Sequence, residues 1–380
     1  MVMMLTLYSP SVCSQVALNS LPIRWQRYKI LGNLSIILYL CSLIMLVITL
    51  IAALVLGIVI AALPHVVWLL AWMVGKGFHY TMPYTPFGWT ALVLVAVVWT
   101  VLAWGCFVGR WRLQTTRMEF AHPDIPSAFD GYKIVHISDL HLSTFDDNPK
   151  QLQRFVDSIN ALEPDLICFT GDLVTFGKSE AEPYTSTLRK LHTKDGVVSV
   201  LGNHDFLIYN RKLADETMRQ KEVEAVAQYE RNQLGWQLLR NENTVIERNG
   251  ERLTIIGVDN TVGKGQGFST INRGDLPKAM SSTDGFRILL THDPSHWRSE
   301  VLPDTDIPLT LSGHTHAAQV RVLGWTPASW MFKEAWGRYD EGGQTLNVNA
   351  GLGCTLPVRL NCPAEITLIT LSKNRSTYNS

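Results

Sequence analysis

The amino-terminal part of the chain is dominated by two long apolar stretches. Residues 30–75 and 77–109 contain no Lys, Arg, Asp or Glu. About 20 apolar residues are enough for a helix to cross the hydrocarbon core of a bilayer. The pattern therefore predicts membrane spans at about 34–63 and 89–108, within an anchor region 1–117. A cleaved signal peptide fits poorly, because its apolar core is only ~7–15 residues long.

Basic residues predict the orientation of this anchor. Three of them precede the first apolar stretch and three follow the second, whereas Lys76 alone lies between the stretches. Because Lys and Arg are enriched in cytoplasmic loops, we expect a multi-pass protein of the inner (plasma) membrane with its carboxyl-terminal domain in the cytoplasm. The alternative is a tight hairpin over 34–74, interrupted at Pro64-His65. That hairpin would give three spans and place the domain outside.

From residue 118 the pattern changes to short apolar runs separated by polar segments. Two of these segments predict helices, Gln151–Leu162 and Lys212–Leu234. Strands that alternate with helices indicate an α/β layered domain over 118–380. Six runs rich in β-branched residues predict its buried strands, namely Lys133–Ser138, Leu166–Thr170, Val197–Leu201, Leu253–Val258, Arg287–Thr291 and Leu309–Ser312.

Charge divides the chain at the same place. The chain has 33 basic and 33 acidic residues, and the first 117 residues contain seven of the basic and none of the acidic ones. The rest has 26 basic and 33 acidic residues, a net charge of −7. No nucleic-acid partner is expected, since phosphate contacts need clustered Lys and Arg. The six scattered cysteines are expected to be reduced. The alternative for Cys354 and Cys362 is that they form a disulfide or half of a zinc site.

Five polar islands follow five of the predicted strands. Sites in α/β sheets lie at the carboxyl ends of the strands, so these side chains are expected to meet. Imidazole and carboxylate ligands suit divalent transition metals, and a pair of such ions can clamp the attacking and leaving oxygens of a phosphoryl transfer. The islands read Asp139-Leu140-His141, Gly171-Asp172, Gly202-Asn203-His204-Asp205, His292-Asp293 and Gly313-His314-Thr315-His316.

In order and content these islands resemble the calcineurin-like metallophosphoesterases, whose pattern is D-x-H, G-D, G-N-H-[DE], H and G-H-x-H. The resemblance covers about residues 130–370. It implies an α/β sandwich of two β-sheets flanked by helices and a binuclear centre of divalent ions (Mn, Fe or Zn). His204 is implied to assist the substrate phosphate or protonate the leaving group, with Asp205 orienting it. The implied ligands are Asp172, which bridges both ions, with Asp139, His141 and His316 on the first and Asn203, His292 and His314 on the second.

Further segments resemble the membrane-anchored bacterial YkuE/YaeI-type branch of this family. They are Phe129–His141, Thr291–Pro294, Asn349–Gly353 and Pro357–Arg359. Some members of that branch hydrolyse the pyrophosphate of UDP-diacylglucosamine, which implies a lipid-linked phosphodiester or pyrophosphate substrate and a role in lipid metabolism. The aromatic stretch Gly324–Trp336 is expected beside the site. It either enters the bilayer or holds acyl chains, or it packs on the sheet as an apolar cap.

Two other functions stay open at this point. The same chemistry would also serve a phosphatase or phosphodiesterase that acts on a soluble phosphoester or nucleotide. In a function of another class, the chain would be a non-catalytic membrane scaffold or sensor with a structural metal site. The complete ligand set and the additional His204 favour a hydrolase over the scaffold.

Overall fold

The computed structural model describes residues 51, 53–145, 148–210, 212–213, 215–263 and 271–373. Its first elements are helix α1 (Ala53–Gly77) and helix α2 (Thr85–Phe107), both in segments long and apolar enough to cross a membrane. Large apolar side chains such as Ile58 and Val93 are exposed on them, whereas a core helix would bury such side chains. Trp99 of α2 donates its indole N–H to the Ala53 carbonyl oxygen at 3.3 Å.

The bounds of these helices differ in part from the predicted spans. The start of the span predicted at 34–63 lies outside the described residues, and α1 continues beyond residue 63 to Gly77. It passes through Pro64-His65 without a break, so the interruption predicted there does not form. A proline removes one intrahelical hydrogen bond, but continuous apolar sequence on both sides favours an intact helix, as in many membrane helices. Helix α2 begins slightly before the predicted 89 and ends near the predicted 108.

Two six-stranded sheets form the domain that follows. The spatial order in the first sheet is β1 (Leu113–Ala121), β12 (Ala364–Ser372), β2 (Lys133–Ile137), β3 (Leu166–Phe169), β4 (Val197–Ser199) and β5 (Gln237–Leu238). In this sheet β2 to β5 run parallel, β12 is antiparallel to β2, and β1 is parallel to β12. The spatial order in the second sheet is β10 (Gly337–Glu341), β11 (Gln344–Val348), β9 (Leu309–Ser312), β8 (Phe286–Leu290), β7 (Glu251–Gly257) and β6 (Glu242–Arg248). Here β7, β8, β9 and β11 are parallel, and the two edge strands are antiparallel to their neighbours.

Apolar side chains fill three layers between and outside the sheets. Ile134 of β2 and Ile288 of β8 belong to the cluster between the two sheets. Phe155 packs the first sheet against its helices, and Trp297 is fully buried on the outer face of the second sheet. The sandwich of two sheets flanked by helices is the fold that the sequence predicts. The helices are α3 (Pro149–Asn160), α4 (Thr185–Leu188), α5 (Glu216–Gln228), which continues as a π turn over Tyr229–Leu234, α6 (Leu276–Ala279) and α7 (Leu302–Asp304).

Strand β1 joins the anchor to the domain without an intervening linker. It extends across residue 117, the predicted end of the anchor region, and pairs along its whole length with β12, from Leu113 opposite Ala364 to Ala121 opposite Ser372. Residues 113–117 are therefore part of the first sheet. The sequence hides this strand because its main partner lies at the other end of the chain, and pairing rather than a local pattern stabilises it.

Candidate metal centre

The polar islands meet at the carboxyl ends of the strands, and the seven predicted ligands come together there. Asp139 follows β2, Asp172 follows β3 and His292 follows β8. All three side chains are almost completely buried. A cluster of carboxylates and imidazoles with so little access to water is costly unless its members bind each other or a cation.

Four side chains form a first ligand group. The Nε2 atoms of His141 and His316 are 3.2 Å apart. Asp139 Oδ1 lies 3.3 Å from His316 Nε2, and Asp172 Oδ2 lies 3.5 Å from His141 Nε2. Two nitrogen ligands on a tetrahedral zinc ion are roughly 3.3 Å apart. These spacings therefore suit a single divalent ion.

A second group surrounds the opposite side of the Asp172 carboxylate. His292 Nε2 lies 3.2 Å from Asp172 Oδ2 and 3.2 Å from His314 Nδ1. His314 Nδ1 is also 2.8 Å from Asn203 Oδ1. Asp172 Oδ2 thus lies close to ligand atoms of both groups, which is the position a bridging carboxylate needs.

Unsatisfied polar atoms in the cluster fit a bound cation. Within the described residues, Asp139 Oδ1 is buried and accepts no hydrogen bond. A buried carboxylate oxygen without a donor costs about 1–3 kcal/mol or more. This oxygen faces Nε2 atoms of His316 at 3.3 Å and His141 at 3.9 Å, so a cation among these three atoms would offset that cost.

The protonation states also fit metal binding. Burial lowers the pKa of His141 to about 3 and that of His316 well below its ordinary value. Burial opposes the charge on Asp172, but His292 and His204 outweigh it and hold its pKa well below the ordinary value. Neutral imidazoles and ionised carboxylates are the forms that bind metals. For His292, burial lowers the pKa, yet Asp172 raises it to about 10, so metal binding there would release a proton.

The backbone holds most of these ligands in an unusual conformation. Five of the seven have positive φ angles, a conformation that costs a non-glycine residue roughly 1–2 kcal/mol. Such strain persists where surrounding structure enforces it, and it concentrates at functional sites. The five are Asp139 (51°), His141 (39°), Asp172 (59°), His314 (72°) and His316 (49°).

Glycines in the islands provide space for the ligands. A methyl group on Gly202 would meet the Asp172 carboxylate and the His292 ring, and one on Gly313 would meet the Asp139 carboxylate. Neither glycine has a positive φ angle, unlike Gly171. At residues 202 and 313, therefore, glycine is required because ligand side chains approach the backbone closely.

Three residues outside the ligand set face the imidazoles. The Thr170 carbonyl oxygen lies 2.7 Å from His292 Nδ1, and Thr175 Oγ1 lies 3.3 Å from His141 Nδ1. Hydrogen-bonded partners of this kind fix the ring orientation and the tautomer of a metal-binding histidine. Asp293 Oδ2 lies 3.4 Å from His314 Nε2, which places its negative charge beside this ring without a hydrogen bond. The position of Asp293 directly after His292 is the sequence signal for this contact.

Asp205 has a different position from the predicted one. Its carboxylate accepts hydrogen bonds from the backbone N–H groups of Asp172 (2.7 Å), Gly202 (2.9 Å) and Val174 (3.1 Å). Asp205 therefore stabilises the turns that present the ligands, instead of orienting the His204 ring. Burial, together with the charge of Asp172, raises its pKa, while the backbone donors favour its charged form.

His204 lies at the accessible side of the cluster. Its Nδ1 atom is 3.3 Å from the Thr175 carbonyl oxygen, and its ring stacks edge-on against His141 with centroids 4.8 Å apart. The ring is less buried than those of the predicted ligands His141 and His292. One of its nitrogens also lies within 4.8 Å of ligand atoms of His141 and Asp172.

Arg359 supports the loop beneath the first ligand group. It is completely buried and donates to the carbonyl oxygens of Ala350 (2.9 Å), Gly351 (3.0 Å) and Gly353 (2.6 Å). Gly353 in turn donates its N–H to the Asp139 carbonyl oxygen at 2.7 Å. In the sequence, this arginine is only part of a segment that resembles the family, because its carbonyl partners come together only in the folded loop.

The two cysteines near Arg359 are not joined in a disulfide. Both Cys354 and Cys362 are free thiols. The Arg359 Nε–H donates to Cys354 Sγ at 3.3 Å. Among the described cysteines, Cys168, Cys354 and Cys362 are buried and Cys106 is partly exposed.

The aromatic stretch beside the site has a buried side and an exposed side. Phe332 is buried and its ring contacts that of His314 at a centroid distance of 5.4 Å. Trp330, by contrast, is 79% exposed. One side of this stretch therefore caps the metal cluster, and the other faces away from the domain.

The two-sheet sandwich and the ligand cluster at its strand ends define a metal-dependent phosphoesterase. Residues 132–318 match the calcineurin-like phosphoesterase family. The chain is 32% identical over 274 residues to the uncharacterized metallophosphoesterase YkuE of Bacillus subtilis, which covers 68% of this chain and 85% of that protein. The chain therefore belongs to the calcineurin-like phosphoesterase family, and it is a hydrolase of the metallophosphoesterase class. The predicted family and enzyme class are confirmed.

Two further relatives bear on activity and location. The chain is 28% identical over 256 residues to the phosphodiesterase YaeI of Escherichia coli, covering 63% of this chain and 82% of that protein. It is 27% identical over 295 residues to a transmembrane protein with metallophosphoesterase domain from Danio rerio, covering 74% of this chain and 62% of that protein. These relatives and the two apolar helices indicate membrane association.

Proposed function

We propose that this protein hydrolyses a phosphodiester or pyrophosphate bond at a centre of two divalent ions, Mn, Fe or Zn. The position of Asp172 Oδ2 carries the proposal, since it is 3.5 Å from His141 Nε2 in one ligand group and 3.2 Å from His292 Nε2 in the other. A shared carboxylate offsets the repulsion between two cations. Bound divalent ions would supply a water molecule of lowered pKa and positive charge for the phosphate oxygens.

The ligand roles follow the two groups. Asp172 would bridge the ions, and His204 would contact the phosphate or give a proton to the leaving oxygen. The partial exposure of His204 supports this role, because a substrate can reach its ring. The proposed ligands besides Asp172 are Asp139, His141 and His316 for the first ion, and Asn203, His292 and His314 for the second.

We also propose that the substrate is lipid-linked, of the UDP-diacylglucosamine type. The exposed apolar helices α1 and α2 support a membrane location. An enzyme held at the bilayer meets an amphiphilic substrate while the acyl chains of that substrate stay in the membrane. Moving the chains into water would cost a free energy of about 0.8 kcal/mol per CH₂ group. A soluble phosphoester or nucleotide is the alternative.

The same proposal places the domain at the cytoplasmic face of the inner membrane. Arg110, Arg112 and Arg117 follow α2, while Lys76 lies at the opposite end of the helical pair. The enrichment of basic residues on the cytoplasmic side favours this orientation. A further span before residue 51 would place the domain on the other side. A reporter enzyme fused after residue 380 distinguishes the two arrangements by its activity in each compartment.

Substrate comparison tests the proposed chemistry. The full chain, reconstituted in lipid vesicles, is assayed on UDP-diacylglucosamine and on soluble bis(p-nitrophenyl) phosphate. We expect hydrolysis of both, with the larger kcat/KM for the lipid. Turnover of the soluble ester alone would reject the lipid-linked substrate and keep the phosphodiesterase. Absence of turnover on either ester, despite bound metal, would favour the scaffold function.

A further inference from the structure

A loop of the catalytic domain is seated directly on the membrane helix α2. The Arg359 N–H donates to the Gly105 carbonyl oxygen at 3.2 Å. A methyl group on Gly105 would collide with the side chains of Leu360 and Val358, and one on Gly109 would collide with the Arg359 carbonyl oxygen. Gly105 lies in the last turn of α2, and Gly109 begins the 3₁₀ turn that follows it. The absence of a side chain at both glycines therefore leaves room for the loop.

The position of this contact along α2 determines the level of the loop relative to a bilayer that surrounds α2. Gly105 precedes Arg110, the first charged residue after α2, by roughly 7–8 Å at 1.5 Å per residue. On the other faces of this part of the helix, apolar side chains are exposed, including Val101 (46%) and Phe107 (74%). A bilayer that covered these side chains would extend to the level of Gly105. The loop around Arg359 would then lie at the bilayer surface.

Hydrogen bonds connect this loop to the aromatic stretch beside the metal centre. Leu360 donates its N–H to the Gln319 carbonyl oxygen at 2.9 Å, and Arg321 donates to the Leu360 carbonyl oxygen at 3.0 Å. Val322 and Trp325 then close a tight turn through reciprocal backbone bonds of 2.8 and 2.9 Å. This turn is thereby fixed to the segment that contacts α2.

Exposed apolar side chains surround this turn and form a surface that we call the membrane-contact face. Leu323 at its tip is 100% exposed, and Trp330 is 79% exposed. The rings of Trp325 and Trp330 meet edge to face at a centroid distance of 5.1 Å. Large exposed apolar patches mark interaction sites, and Trp favours the boundary between lipid and water. The face consists of Val322, Leu323, Trp325, Trp330, Met331 and Leu356.

We propose that the membrane-contact face inserts into the headgroup region of the bilayer next to α2. Its occupant is lipid, because the loop that supports it contacts a membrane helix at a level where that helix is still apolar. Phe332 lies two residues after Trp330 and contacts His314, so the inserted face adjoins the metal centre. A lipid-linked phosphoester would then reach the ligands from the membrane surface.

Photo-crosslinking in lipid vesicles tests this proposal. The full chain carries p-benzoylphenylalanine in place of Leu323 or Trp330 and is reconstituted in vesicles of phosphatidylethanolamine and phosphatidylglycerol. The control position is Met218 on α5, which is 56% exposed and has no part in the face. After irradiation, mass spectrometry is expected to find lipid adducts at residues 323 and 330 and background at residue 218.

Other outcomes of the photo-crosslinking experiment would overturn the proposal. Background at residues 323 and 330, with the protein firmly in the membrane fraction, would overturn the proposal. Protein–protein adducts at these positions would overturn it in favour of a second copy of the chain. The proposal rests on the membrane location proposed above, but the readout needs no turnover. A failed hydrolysis assay therefore leaves it intact, and a chain absent from the membrane fraction would refute the location itself.

Discussion

The metal centre and the membrane-contact face meet at residues 350–360 and differ in which groups they remove from water. In the metal centre, polar groups such as Asp139 and Asp172 are removed from water. On the membrane-contact face, apolar groups such as Leu323 and Trp330 are exposed. Each arrangement is unfavourable for an isolated domain in water. Each would become favourable with the proposed partner, a cation for the first region and a lipid surface for the second.

The comparison also shows how the two regions are connected. Arg359 donates side-chain hydrogen bonds to the loop that carries Gly351 and Gly353, next to Asp139. Through its backbone, the same residue contacts Gly105 of α2. The anchor is therefore packed against the support of the metal centre. Substitutions in the metal centre should change hydrolysis of every substrate, whereas substitutions on the membrane-contact face should change only turnover of a lipid-linked substrate.

The largest effect is expected from Asp172→Ala. Loss of the shared carboxylate removes a ligand from both groups, so hydrolysis of bis(p-nitrophenyl) phosphate should fall by about a thousandfold or more. Asp284→Ala is the matched control, because Asp284 is a surface residue that pairs with Arg252 at 2.8 Å. Activity of Asp172→Ala close to that of the control would contradict the ligand assignment.

An intermediate effect is expected from Asp293→Asn. This change removes the negative charge beside the His314 ring, and the loss of a carboxylate next to a metal-binding histidine typically costs about 10–100-fold in metal affinity or activity. Titration of the metal-depleted protein with Mn or Zn measures the affinity. The exposed Asp306 pairs with Arg287 at 2.8 Å, and Asp306→Asn should bind metal like the wild type. Equal affinities in both variants would remove Asp293 from the centre.

A smaller effect is expected at the contact between anchor and domain. In Gly109→Ala the new methyl group meets the Arg359 carbonyl oxygen, and overpacking of this kind costs about 1–3 kcal/mol. Thermal unfolding in detergent micelles should therefore shift to lower temperature. Gly77→Ala is the control, because nothing lies within 4 Å of the added methyl group. Identical melting of the two variants would mean that the anchor and the domain are not packed together.

The smallest effect is expected from Leu323→Asp on the membrane-contact face. A negative charge at an anionic surface should reduce turnover of the lipid-linked substrate about fivefold and leave the soluble ester unaffected. Met218→Asp should change neither activity. A parallel loss on both substrates would indicate damage to the metal centre instead of lost membrane contact.

Sequence reasoning succeeds where local pattern and chemistry coincide. The six predicted strands all form, and the islands that follow them converge. It fails where the determining partner is distant in the chain. Strand β1 is stabilised by β12, and the role of Arg359 depends on carbonyl groups that only the folded loop brings together. The contacts of Asp205 are hidden for a related reason, because sequence proximity to His204 does not reveal the hydrogen bond from the Asp172 N–H.

The most direct test of the central claim combines metal content with activity. The purified full chain is analysed by inductively coupled plasma mass spectrometry before and after chelation, with hydrolysis of bis(p-nitrophenyl) phosphate measured on the same samples. We predict about two divalent ions per chain, loss of hydrolysis with their removal, and recovery when Mn, Fe or Zn is restored. Undiminished hydrolysis by the metal-free protein would contradict the account.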